Sequence, residues 1–242
     1  MEAIKTEKLV KKYKDKTAVK GLELTVYQGE LYGLLGVNGA GKSTTIKMLS
    51  CLTQPTSGEA WVMGRSIKNE AEQVKAIMNV SPQETAVAAK LSVRENLEFI
   101  ARIYGCNKKE SKEKARKMIE DFSMEEIAKC RAATLSGGWQ RRLSIAMALI
   151  TQPDVLFLDE PTLGLDVLAR RELWKFIEEL KGKMTIILTT HYLEEAESLC
   201  DRIGIMARGA LCAEGTAEEL KTKANTNDFE EAFITISGEN TK

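Results

Sequence analysis

The 242-residue chain carries 35 Lys+Arg against 35 Asp+Glu and a single histidine, so its formal net charge is zero. That balance leaves no basic footprint for a nucleic-acid partner, and no apolar run approaches the ~18–20 residues needed to span a bilayer. Five cysteines (51, 106, 130, 200 and 212) form no C-x-x-C pair and are odd in number, which argues for reduced thiols and against a disulfide framework or zinc site.

Residues 1–35 read as strands, with turns at Lys14-Asp15-Lys16 and Gln28-Gly29-Glu30. The start, Met1 to Lys5, is strand-like and lacks the apolar core of a signal peptide, so a cytoplasmic protein is expected. Tyr13 sits among Lys11, Lys12, Lys14 and Lys16. It is either an aromatic face for a base, in a favourable lysine field, or an exposed turn tyrosine.

The apolar run Leu31-Tyr32-Gly33-Leu34-Leu35 predicts a buried strand. It runs into Gly36-Val37-Asn38-Gly39-Ala40-Gly41-Lys42-Ser43-Thr44, and a helix is predicted from Lys42 to about Leu52. This is the phosphate-cradling pattern G-x-x-x-x-G-K-[ST] in strand-loop-helix context. Glycines 36, 39 and 41 allow backbone conformations that a Cβ would forbid. Successive N–H groups, including those of Asn38 and Ala40, and the helix start form a positive nest. Lys42 can reach β- and γ-phosphates, and the Ser43 hydroxyl can ligate Mg²⁺. The expected ligand is a nucleoside triphosphate with Mg²⁺.

Gln54-Pro55-Thr56-Ser57-Gly58 is a turn by its Pro and Gly, and strands are predicted at 59–64 and 77–80. Gln83 follows a strand end, where ligands bind in open α/β sheets, so its amide can touch Mg²⁺ or an attacking water. From Glu84 to about Arg131 the pattern is helical. Ser92-Val93-Arg94-Glu95 forms a capping box, and residues 108–128 show helical apolar spacing under a charged face. Leu135-Ser136-Gly137-Gly138-Trp139-Gln140 opens another helix, either as a second anion-binding end or as an ordinary Ser N-cap. Val155-Leu156-Phe157-Leu158 reads as a strand buried on both faces, ending at Asp159-Glu160. Asp159 suits Mg²⁺ coordination, and Glu160 suits general-base attack on water. Leu163-Gly164-Leu165-Asp166 is a loop before an amphipathic helix reaching Leu180. The strand Ile186 to Thr190 ends at His191, a candidate phosphate sensor. Residues 202–214 read as a strand pair, Thr216 caps a helix, and 228–236 is an amphipathic tail.

Together these stretches closely resemble the nucleotide-binding subunit of an ATP-binding cassette (ABC) transporter over essentially the whole chain: P-loop 36–44, Q-loop Gln83, signature 135–140, Walker B 155–160, D-loop 163–166 and switch His191, in family order. The resemblance implies an α/β P-loop NTPase core with a mainly parallel sheet, an N-terminal antiparallel β subdomain and an inserted helical subdomain. The expected division is 1–83 and 151–215 for the ATP-binding core, 84–150 for the helical subdomain and 216–242 for a helical tail. It further implies that Tyr13 stacks on adenine and that Gly36 and Asn38 to Thr44 hold the phosphates. Ser43, Gln83 and Asp159 would serve Mg²⁺, with Lys42, Gln83, Glu160 and His191 serving hydrolysis. The Ser136, Gly137 and Gly138 cradle would contact the γ-phosphate held by a partner cassette in an ATP-bound homodimer or heterodimer.

Two departures stand out. Trp139 replaces the usual signature glutamine, which bears on a contact near the ribose and not on the Ser-Gly-Gly cradle, and Ala146-Met147-Ala148-Leu149 lacks the frequent arginine. The flanking residues 140–145 and the tail 229–238 resemble bacterial multidrug or antibiotic-export subunits, implying a transmembrane permease in trans and a location on the inner face of the cell membrane. The uncharged segment Thr85 to Ala89 is the expected docking stretch. The competing reading, a soluble ABC ATPase acting on ribosomes or nucleic acid, fits less well. Such proteins usually join two cassettes or carry long coiled-coil insertions.

Overall fold

The computed structural model of the chain describes residues 1–238, so the last four residues of the expected tail lie outside it. The chain opens with two long strands, β1 (Glu2–Tyr13) and β2 (Lys16–Tyr27), then β3 (Leu31–Leu35), helix α1 (Lys42–Leu49), β4 (Ser57–Val62), β5 (Arg65–Ser66), α2 (Ala71–Ile77) and β6 (Met78–Ser81). A helical stretch follows, with α3 (Val93–Ile103), α4 (Lys108–Asp121) and α5 (Gly137–Leu149). The chain then alternates β7 (Val155–Asp159), α6 (Val167–Glu178), β8 (Thr185–Thr190), α7 (Leu193–Leu199) and β9 (Arg202–Ala207), and closes with β10 (Ala210–Gly215), α8 (Ala217–Lys223) and α9 (Phe229–Ser237). Among these residues no helix is long and apolar enough to cross a membrane.

Two sheets carry the architecture. The first is antiparallel with order β2-β1-β4-β5, and the second has order β10-β9-β3-β8-β7-β6 with only the β10–β9 pair antiparallel. β3, β7 and β8 are buried at every position. Unbroken apolar runs of this kind mark parallel strands covered on both faces. Each large side chain in them, Phe157 or Ile187 for example, gains about 1.5–3 kcal/mol from burial. One face of the sheet packs on the helical stretch and the other on the antiparallel sheet and α1, while α8 and α9 cover β9 and β10. Parallel register levels the strand ends: Ser81 pairs with Leu158, Asp159 with Thr189, and Leu35 with Thr190. The loops after β3, β6, β7 and β8 therefore emerge side by side, where ligands bind in open α/β sheets.

Several boundaries differ from the sequence reading. α1 stops at Leu49, because Cys51 turns the chain with φ of 56°. α4 ends at Asp121, not near residue 128. Phe122 caps it and Ser123 takes φ of 50°, a reversal that lets Phe122, Met124 and Ala128 all enter the core. α2 and α7 have no counterpart in the sequence reading. At seven residues each they are too short to nucleate alone and are held by tertiary contacts. The capping box at Ser92 and Glu95 is present, with Glu95 N–H donating to Ser92 Oγ at 3.2 Å and Ser92 N–H to Glu95 Oε2 at 2.8 Å.

Entry to and exit from the helical stretch are stitched together. Ser92 bridges Arg131, Val93 N–H donates to Cys130 O, and Ala132 and Ala133 N–H donate to Leu91 O and Ala89 O. Asn96, fully buried, fastens the same neck by accepting from Ala88 N–H and donating to Ala88 O, Leu91 O and Ser92 O.

Candidate functional site

Between β3 and α1 the chain folds into a cradle. Gly39 and Gly41 have φ of 85° and 110°, the left-handed region that favours glycine. Gly36 is glycine for another reason: its φ is ordinary, but a Cβ there would lie 2.3 Å from Met206 O. The cradle lines a cavity of about 470 Å³ shared by Tyr13, Asn38 to Thr44, Gln83 and Glu160. A wider cleft of about 820 Å³ opens at the other ends of the strands, beside Gly29, Phe122 and Gly182. It has no glycine nest opposed to a general base, so chemistry and not size marks the site.

Lys42, 4% exposed, donates to Gly36 O at 2.6 Å and Val37 O at 3.3 Å, and its ammonium lies 3.4 Å from Glu160 Oε1. Burial lowers its pKa, against the opposing pull of Glu160 and Asp159. At the end of β7, Ser43 Oγ donates to Asp159 Oδ1 at 3.1 Å and Thr189 Oγ1 to the same oxygen at 2.5 Å. A hydroxyl and a carboxylate held together are hard oxygen donors of the kind Mg²⁺ takes beside phosphates, so these residues fit that ion. Glu160 follows in the left-handed region, φ of 46°, an unusual conformation costing of order 1–3 kcal/mol. Its N–H donates to both Thr189 O and Thr189 Oγ1. This turn aims the carboxylate between Lys42 and His191, whose Nδ1 lies 3.2 Å from Glu160 Oε2.

Tyr13 is 45% exposed on the cavity wall, with the Lys11 ammonium 5.0 Å from its ring centroid. Gln83 stands exposed on the rim, two residues past β6. The structure thus gathers the residues expected from the P-loop, Q-loop, Walker B and switch positions. Ser136, Gly137 and Gly138 are not among the cavity residues. Ser136 is the N-cap of α5 and its side chain accepts from Trp139 N–H. Trp139 lies under the Arg142 guanidinium at 4.8 Å.

Two polar residues escaped the sequence reading. Glu195 on α7 is fully buried and accepts from Trp174 Nε1 at 3.0 Å, and burial raises its pKa. Arg141 on α5 is 3% exposed and directs its guanidinium at carbonyls of the loops after β6 and β7. For Arg141 the available signal was a charged residue on the apolar face of a predicted helix; for Glu195 there was none, because α7 itself was not predicted.

A family model described as ABC transporter matches residues 19–163, more than half of the chain. The daunorubicin/doxorubicin resistance ATP-binding protein DrrA of Streptomyces peucetius is 42% identical over 93% of this chain and 68% of its own. "Probable multidrug ABC transporter ATP-binding protein YbhF" of Escherichia coli (strain K12) is 40% identical over 96% of this chain, which spans only 41% of that relative's length. Among solved structures, an ATP binding subunit of an ABC transporter superposes with TM-score 0.84 at 28% identity, covering 97% of this chain and 99% of that one. The dimeric MJ0796 cassette superposes at 0.78 with 25% identity over 88% and 98%.

Proposed function

The chain belongs to the ABC transporter family, and from that premise we propose that it binds and hydrolyses ATP to drive a separate membrane-spanning protein, in the export direction. The observation that carries this reading is the convergence, around one cavity, of a glycine cradle, Lys42, the Ser43–Asp159 pair and Glu160. Tyr13 stacks on the adenine, and backbone N–H groups of residues 38–44 receive the phosphates. Lys42 exchanges its carbonyl partners for phosphate oxygens. Ser43 and Asp159, with Gln83, would hold Mg²⁺, which would neutralise phosphate charge there. Glu160 accepts the proton of the attacking water, and His191 orients the Glu160 carboxylate and the γ-phosphate.

The Ser136 to Gly138 cradle does not line this cavity and serves the ATP of a second cassette. Dimers are seen for a related cassette, and we assign the same arrangement here, homodimeric or with a similar chain. The exposed apolar stripe of Phe99 and Ile103 on α3, one turn on from the Asn96 that fastens Ala88, is the docking face for the permease. Val87 of the segment 85–89 turns inward against the core, leaving Ala86, Ala88 and Ala89 to the surface. Through this face the protein sits on the inner surface of the cell membrane. Mg²⁺-dependent ATP hydrolysis whose specific rate rises with protein concentration is the expected result. A rate independent of concentration, from protein that stays monomeric, would refute the shared site. Phe99→Asp with Ile103→Asp should detach the protein from washed membranes while basal hydrolysis persists. Retention on the membrane would move the docking face elsewhere.

A further inference from the structure

Arg141 has a geometry unlike that of any other cation in the site. Its Nε donates to Pro161 O at 2.8 Å, Nη2 to Asp159 O at 2.8 Å, and Nη1 to Gln83 O at 3.2 Å and also to Pro82 O. One guanidinium on the signature helix therefore holds the backbone on both sides of Glu160 and the backbone of Gln83. One turn on, Ser144 Oγ and Ser81 Oγ lie 3.1 Å apart, so the same helix face is also tied to the end of β6. Arg141's direct partners are carbonyl oxygens. Burial pushes its pKa down to about 10, with the charges of Asp159 and Glu195 opposing the fall. A buried cation without a paired carboxylate is costly, and a purely structural tie between loops needs no charge.

We propose that Arg141 is a positioning residue for the hydrolytic step. It fixes the Asp159-Glu160 turn through the carbonyls on either side of Glu160, and links movement of the Gln83 loop to that turn through α5. This inference rests on the ATPase reading above, and it assigns the chemistry of that site to a helix whose glycines serve the other subunit's nucleotide. Movement of α5 on dimer closure reaches Glu160 directly through the guanidinium, with no relay through the sheet. The five planar N–H donors of arginine suit carbonyls in several directions, and a lysine ammonium cannot span them all.

The test uses Arg141→Met and Arg141→Lys in the full chain, with hydrogen exchange, ATP affinity and hydrolysis read on each. Without nucleotide, both variants should raise amide exchange in 82–90 and 160–165 together while α4 is unchanged. With ATP and Mg²⁺, affinity should stay within about threefold. The turnover rate should fall about 10²-fold for Met and less for Lys, with KM little changed. ATP should still protect residues 36–44 yet no longer alter exchange in 82–90. Wild-type turnover in either variant, or ATP-dependent protection of 82–90 surviving in both, overturns the proposal. If Arg141→Met does not fold, Arg141→Lys carries the same two criteria. Failure of the ATPase reading is told apart, because it would appear as no hydrolysis by the wild-type chain. The nucleotide-free exchange pattern decides the tie in either case.

Discussion

The two glycine-rich helix starts of this chain are built to opposite plans. At residues 36–44 the glycines are forced, two by left-handed φ and one by Met206 O lying 2.3 Å from where its Cβ would stand, and the cavity beside them is lined with the Tyr13 ring, Lys42 and the Glu160 carboxylate. At 136–138 the φ values lie outside the left-handed region, a Cβ on Gly137 would meet nothing closer than 3.6 Å and one on Gly138 would lie 3.1 Å from the Ala169 methyl, and Ser136 caps its helix. The first start opens on a cavity with polar groups opposed to it. The second has the N–H groups and dipole of an anion site but no wall opposite. A single chain that holds one complete cradle and one open one is expected to finish the second against another molecule.

The strongest attack on that contrast is on the complete cradle. Glu160→Gln should reduce hydrolysis by ~10²–10⁴-fold while ATP still binds. A single-turnover assay giving a rate within a few-fold of wild type would place the base elsewhere. Lys42→Ala removes charge-assisted hydrogen bonds worth about 1.5–3 kcal/mol, so ATP affinity measured by calorimetry should fall by roughly 10–10²-fold. Intact affinity would mean that the cradle binds without its lysine. Ser136→Arg, by contrast, should leave the affinity of the isolated chain untouched and still abolish hydrolysis. Mixing equal amounts of Ser136→Arg and Lys42→Ala chains should recover about a quarter of wild-type activity, since half the dimers then hold one intact site of two. No recovery would put both cradles in service of the same chain. The mildest probe is Trp139→Gln, which removes the contact with Arg142 and should cost about 0.5–1 kcal/mol in thermal or denaturant unfolding. A loss of ATP affinity in the isolated chain would contradict the separation of the two starts.

A pH titration probes the buried Glu195 on α7. The pKa of Glu195 is raised on folding. Its contribution to stability is therefore complete below the unfolded value near 4.5 and is lost as pH rises through the folded value. Glu195→Gln should flatten the pH dependence of unfolding across that window, read by thermal melts at matched ionic strength. An unchanged slope would show that another group governs it.

Much of the site could be read from the chain because its residues are contiguous. Lys42 is six residues from Gly36, Asp159 and Glu160 end one apolar strand, and His191 ends another. Each motif is a strand plus its own loop, which local pattern records well. What could not be read has its cause elsewhere in the chain. Gly36 reads as a turn glycine, and its need for a bare Cα comes from Met206, 170 positions away. Arg141 reads as one more charge on a charged helix, and its meaning comes from carbonyls 18–20 and 58–59 residues distant. The early end of α4 follows the same rule: Phe122 is compatible with a continuing helix, and only its burial against Phe176, with ring centroids 4.3 Å apart, favours the turn.

The stitched neck at residues 88–93 and 128–133 ties together the two chain crossings of a helical lobe, which also packs on α5 and, through Phe122, on Phe176 of α6. Its internal contacts are short in sequence, α3 against α4 above all, and short-range contacts form quickly. The lobe thus behaves as a cartridge. Its outer surface can drift, or be exchanged for that of a relative, while the backbone around Glu160 keeps its register. Grafting residues 93–130 from another cassette, with the neck hydrogen bonds and the residues packed on α5 and Phe176 retained, is therefore an economical way to test whether this lobe sets the choice of a membrane partner.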